Sequence, residues 1–245
     1  MDVYENIIVG NFLFGLGVKL GLQHQASPIE PISVNLLQQT PLDQPLGDVV
    51  VANAHVFRLV EFKRSSNKSR KEYSKWKVMM DALKTDLGSN IELSRISRKI
   101  HWYVASDFRS SNFQLDSDIK VFSYMDFNNP SHYMTLPKFI DEVAAEAARS
   151  YIDEQQLWWC KRYVELVSGV FSGMSGCLIL TVTGSGQLSY ASVDDIGDLI
   201  RTPKLVLERH LSRQMELARE QQIQHEQPSR ARERVIEHEG PSHSF

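Results

Sequence analysis

The tightest constraint on this chain lies between Asp48 and Arg64, where DVVVA, the tripeptide Asn53-Ala54-His55 and VFRLVEFKR follow one another. Two β-rich runs joined by a short polar turn predict an antiparallel hairpin. Side chains alternate across a strand, so Glu61 and Lys63 share a face, with Phe57 and Leu59 ahead of them in the same row. Pairing through the Asn53 turn brings Asp48 close to Glu61, thirteen positions later. Two carboxylates at short range raise a pKa or demand a counter-ion, and a hard cation such as Mg²⁺ or Mn²⁺ prefers such oxygen ligands. Lys63 cannot ligate a metal while protonated. It can stabilise negative charge on a reacting phosphate, or position and deprotonate a water held by the metal.

The rest of the chain supplies elements to surround that hairpin. Residues 3–22 carry apolar positions on several sides and read as a buried helix. Residues 26–47 are rich in proline and read as an irregular connection with one short strand near Ile32 to Leu37. In residues 69–84, Tyr73, Trp76, Met80 and Leu83 recur at steps of three or four, which predicts a helix capped by Ser69. IHWYVA from Ile100 and IKVFSY from Ile119 predict two further strands. Pro137 opens a helical stretch to residue 168, as one helix or two. Cys177 to Thr183, Gly184-Ser185-Gly186 and Leu188 to Val193 predict a second hairpin, and Pro203 to Gln222 a last amphipathic helix. This order implies an α+β fold with a mixed central sheet flanked by helices. The expected division is a core over 1–136 and a helical region with a hairpin over 137–222, which completes the core or forms an oligomer or partner surface. A flexible tail is expected over 223–245.

Bulk properties narrow the partners. The 245 residues are 42% hydrophobic and 23% charged, the ordinary range of a soluble globular protein, and the net charge of −3 excludes a uniformly basic chain. Positive charge is instead local: residues 63–77 hold Lys63, Arg64, Lys68, Arg70, Lys71, Lys75 and Lys77 against the single acid Glu72. Nucleic-acid backbones bind such patches, although a solvated helix face has the same composition. Cys160 and Cys177 have no Cys or His at ligand spacing, which argues against a disulfide framework or a structural zinc site. The apolar segment Ile7 to Val18 is broken by Asn11 and glycines, has no basic leader and reads as too short to cross a bilayer. A cytoplasmic protein without a membrane partner is the expectation.

An acidic residue at the start of one strand, followed by Glu-x-Lys on the next, resembles the PD-(D/E)XK nuclease superfamily. The order of elements over the first half of the chain is similar too: helix, motif hairpin, helix, strand. The resemblance implies a restriction-endonuclease-like core and divalent-metal-dependent cleavage of DNA or, less often, RNA. It assigns Asp48 and Glu61 as metal ligands and Lys63 as their catalytic partner. Glu5 would supply the further acid that family members often carry on the first helix. The post-motif helix lies near substrate in that family, which makes Arg70 or Lys71 a phosphate contact, with Arg64, Lys68 and Lys75 in the same basic patch. The chain departs from the family at the front of the motif, where Pro45-Leu46-Gly47-Asp48 replaces an adjacent Pro-Asp, and Asp43 is a rival ligand. Small nucleases of this kind occur in restriction and anti-phage systems.

Two other readings stay open. One is a non-catalytic subunit on the same fold that binds nucleic acid or a protein; the other is an α+β interaction protein whose long helices after Pro137 do the work. His55 and His101 read as structural, and Trp158, Trp159 and Tyr163 as helix packing or a partner surface.

Overall fold

The hairpin forms where the sequence places it. In the computed structural model, Val49–Ala52 (β2) pairs antiparallel with Phe57–Arg64 (β3), with Val49 opposite Val60 and Ala52 opposite Phe57. Asn53 builds the turn: its N–H donates to Val56 O at 2.9 Å, and its Oδ1 accepts from the N–H groups of His55 and Val56 at 2.9 and 2.8 Å. This is the Asx geometry that favours asparagine in turns. The structure describes residues 4–26, 32–37, 47–53, 55–64, 70–85, 90–106, 119–149, 152–171, 177–182 and 188–193, together with Ser212, Met215, Glu216 and Arg219.

The hairpin lies at the middle of an eight-stranded sheet of order β6-β5-β4-β3-β2-β1-β7-β8. The outer strands are Ser33–Leu36 (β1), His101–Ser106 (β4), Ile119–Ser123 (β5), Met134–Thr135 (β6), Cys177–Val182 (β7) and Leu188–Val193 (β8). Among the described strands only β3 and β4 run parallel, so the sheet is mixed and the fold is α+β. Parallel neighbours need a crossover, and two helices provide it: α2 (Arg70–Thr85) and α3 (Asn90–Ile100). The late hairpin belongs to the same sheet, because β7 pairs with β1 through Ser33–Thr181 and Val34–Leu180.

Helices cover both faces. On one, α1 (Glu5–Ala26) and α4 (Leu136–Ala147) bury Phe12, Leu16, Phe139 and Val143 against Val60 and Phe62. The two helices approach closely at Gly15, where an added Cβ would lie 3.1 Å from Ile140 Cδ1. On the other face, α2, α3 and α5 (Glu154–Phe171) bury Met79, Leu93, Ile96 and Tyr163 against Leu59 and Tyr103.

Several elements differ from the sequence expectation. The stretch after Pro137 resolves into two helices, α4 and α5, and Thr135 caps the first by accepting the Lys138 N–H. Helix α3 was not expected: its buried apolar positions, Leu93, Ile96 and Ile100, are few, and Ile100 reads equally well as the start of the next strand. The buried stripe of α2 is Glu72, Met79 and Leu83, with Trp76 and Met80 partly covered, whereas Tyr73 is exposed. Helix α1 has 22 residues, longer than the apolar run Ile7 to Val18 suggested. By length and composition it could cross a bilayer, which corrects the expectation that it is too short, but Ile8, Val9, Phe12 and Leu16 pack into the core. Trp158 is exposed, Trp159 is partly covered and Tyr163 is fully buried, so only the first of the three faces solvent.

The chain divides into two units, residues 1–206 and residues 207–245. In the second, Ser212, Met215, Glu216 and Arg219 are helical and exposed, within the span expected for the last helix. The expected tail over 223–245, the Gly184-Ser185-Gly186 turn and the Ser69 cap lie outside the described residues.

Candidate functional site

The register of the hairpin builds the site. Immediately before the Val49–Val60 pair, Asp48 enters against β3, bonded to Val60. Gly47 makes this entry possible: its φ is +91°, and a Cβ there would meet Val60 O at 3.0 Å. Only glycine takes that backbone conformation at little cost. The glycine that interrupts the expected Pro-Asp is thus what lets the chain turn against β3. Asp48 is then fixed by three bonds: its N–H donates to Val60 O at 2.9 Å, its carbonyl accepts from Leu37 at 2.8 Å, and its Oδ2 accepts the Phe62 N–H at 2.6 Å.

Lys63 draws the carboxylates together. Its Nζ stands 2.7 Å from Glu61 Oε1, 3.7 Å from Asp48 Oδ2 and 3.8 Å from Glu5 Oε2. Glu5 arrives from the first turn of α1, and its Oε1 accepts the Arg64 N–H at 3.1 Å. The four residues singled out in the sequence therefore meet at one place, although they come from three elements. Glu61 and Asp48 are buried, while Lys63 keeps partial access to solvent.

A second lysine completes the arrangement. Lys75 on α2 donates to Glu61 Oε2 at 2.8 Å, lies 3.9 Å from Glu72 Oε1 and sits 5.6 Å above the centre of the Tyr124 ring. Tyr124 in turn donates its hydroxyl to Glu72 Oε1 at 2.5 Å. Lys75 was expected in the basic patch that binds nucleic acid, and the structure instead turns it inward. Arg70 and Lys71 remain exposed on α2, and Arg64 is partly covered at the end of β3. Lys68 and the rival ligand Asp43 lie outside the described residues.

Charge states follow from these contacts. Burial pushes the Glu61 carboxyl up, but the Lys75 and Lys63 ammoniums outweigh it and hold the group below the ordinary carboxylate range. Burial pulls Lys63 down, and the Glu61 and Asp48 carboxylates more than reverse that, so it is a firm ammonium at neutral pH. Glu72 is raised by burial and by the charge of Glu61 despite Lys75 beside it.

The donor chemistry fits a hard divalent cation, because three carboxylates surround a single position that already holds a positive charge. That charge is the Lys63 ammonium. Among the described residues, no three Asp, Glu, His or Cys side chains stand close enough to hold a metal as they are placed, so the expected ligand set of Asp48, Glu61 and Glu5 is assembled around Lys63 rather than preformed for an ion.

Sequence reasoning missed Glu72 and Tyr124. Glu72 carried a signal: it stands seven residues before Met79 and eleven before Leu83, within the apolar stripe of α2 rather than on its polar face. His101 is structural, as expected. It is fully buried, stacks on Tyr124 at 4.5 Å and lies with Nδ1 2.7 Å from the Tyr163 hydroxyl. That hydroxyl also lies 3.3 Å from Met79 Sδ. No protein-family model, curated protein sequence or solved structure matches the chain.

Proposed function

We propose that this protein is a metal-dependent nuclease with a restriction-endonuclease-like core, hydrolysing phosphodiester bonds at Asp48, Glu61 and Lys63. The observation that carries the reading is the convergence of Asp48, Glu61 and Glu5 on the Lys63 ammonium at 3.7, 2.7 and 3.8 Å. Phosphodiester hydrolysis needs an activated water and charge to neutralise the crowded phosphate. Asp48 and Glu61 would hold Mg²⁺ or Mn²⁺, with Glu5 as a third acid, and the ion would supply the Lewis acidity for both needs. Lys63, kept protonated by its neighbours, acts as a hydrogen-bond donor and positive charge to a phosphate oxygen rather than as a base. Arg70 and Lys71, exposed on the adjoining helix, provide backbone phosphate contacts.

A second reading has its own support: both oxygens of Glu61 are engaged by lysines, at 2.7 and 2.8 Å, as in a purely structural ion-pair network. A non-catalytic binding subunit on this fold would keep such a network and never open it.

Incubating plasmid and single-stranded DNA with the purified protein in Mg²⁺, Mn²⁺ or EDTA, beside Lys63→Ala, separates the two. The nuclease cuts only with metal, and the variant loses about 100-fold or more, the usual cost of removing one donor to a transition-state oxyanion. A folded wild-type protein that cuts in no metal would favour the binding subunit.

A further inference from the structure

Lys75 was placed by its sequence neighbours among the residues that meet nucleic acid, and its environment argues otherwise. Its ammonium is largely buried and is held from three sides: Glu61 Oε2 at 2.8 Å, Glu72 Oε1 at 3.9 Å and the face of Tyr124 at 5.6 Å. Gripped in this way, the ammonium is directed at the Glu61 carboxylate. The two oxygens of Glu61 are divided between the lysines, Oε1 to Lys63 and Oε2 to Lys75. The lysines differ in what else they can do. Lys63 is on the same strand as Glu61, shares its ammonium with Asp48 and Glu5, and keeps more of its side chain in solvent. Lys75 comes from a helix packed through Met79 and Leu83 into the core.

We infer that Lys75 is a positioning residue that orients Glu61 through Oε2, leaving Oε1 to be exchanged between Lys63 and a divalent cation. The inference rests on the metal-dependent reading above and deepens it. When Lys63 leaves Oε1 for a phosphate oxygen, the Lys75 contact at Oε2 is the one that still fixes the direction of the Glu61 carboxylate. Glu72 and Tyr124 serve the same end, since the Tyr124 hydroxyl fixes Glu72 and Glu72 flanks the lysine.

The test is isothermal titration of Mn²⁺ into the full-length wild-type protein, Lys75→Met and Lys75→Arg without nucleic acid, together with DNA affinity measured in EDTA. Positioning predicts that Lys75→Met binds Mn²⁺ about 10-fold to 100-fold more weakly, the typical cost of losing a residue that orients a metal ligand. It also predicts that Lys75→Arg recovers most of the affinity and that DNA binding in EDTA does not change. If Lys75→Met does not fold, Lys75→Gln replaces it, with the same expected loss. Unchanged Mn²⁺ affinity in the neutral variant overturns the inference, and all the more so if DNA affinity falls with a shallower salt dependence, the signature of a phosphate contact. If the wild-type protein itself takes up no Mn²⁺, the metal-dependent reading falls and this inference with it.

Discussion

Strand β3 carries buried charge on both of its faces, and the two faces handle it differently. In the row with Val60 and Phe62, Arg58 meets Glu146 of α4 one to one, at 2.5 Å, and a second guanidinium nitrogen donates to Phe57 O. In the row with Phe57 and Leu59, Glu61 takes two lysines and Lys63 takes three carboxylates. The first is an exchange of one charge for one charge, which ties a helix to the sheet. In the second, each group divides itself among several partners, so a new cation or anion can enter by displacing one contact while the others persist. Buried pairs of the first kind secure structure; shared clusters of the second kind recur where chemistry is done.

That contrast can be broken by mutation. Arg58→Met keeps most of the side-chain volume and removes the pair. Severing a fully buried pair costs about 3–5 kcal/mol, and because Glu146 keeps access to water the loss here is about 2 kcal/mol, read by urea unfolding. Cleavage per folded molecule stays as in the wild type, whereas in Lys63→Ala it is cleavage that collapses. A loss of specific activity in Arg58→Met would erase the distinction between the faces.

A smaller effect sharpens the same comparison, because His101 borders the shared cluster without belonging to it. Burial, with help from Lys75, lowers its pKa from 6.5 to about 3. The folded protein therefore keeps a neutral imidazole while the unfolded chain takes up a proton below its ordinary pKa. The stability this contributes is complete above pH 6.5 and is lost as the pH falls toward 3. Between about pH 7 and about pH 6 the loss is roughly 0.7 kcal/mol, and His101→Phe, which has no proton to bind, should show a shallower decline. Equal slopes in the two proteins would mean that His101 is charged in the fold.

Much of this arrangement was legible in the chain because it follows from strand alternation. Once the Asn53 turn is read, the shared face of Glu61 and Lys63 and the approach of Asp48 are consequences of a two-residue period. The joining of Glu5 came from a resemblance, and nothing in its local sequence shows that the first turn of α1 ends beside β3. Lys75 and Glu72 were misread for a physical reason. A run of basic residues looks like a solvated or phosphate-facing surface until the phase of the helix is known, and the expected stripe of α2 held Tyr73 and Met80 where Glu72 and Met79, one residue earlier, are the buried ones. Helix α3 was hidden by its polarity, and the β1–β7 pairing by its length in sequence, since long-range partners leave no periodic trace.

The central claim is that Asp48 and Glu61 open to hold a divalent cation. Crystals soaked in Mn²⁺ and measured at the manganese absorption edge test it directly. The account predicts an anomalous peak between the two carboxylates, with the Lys63 ammonium displaced from Glu61 and Lys75 still bonded to it. Fully occupied lysine contacts on both oxygens of Glu61, with no anomalous density beside Asp48, would contradict it.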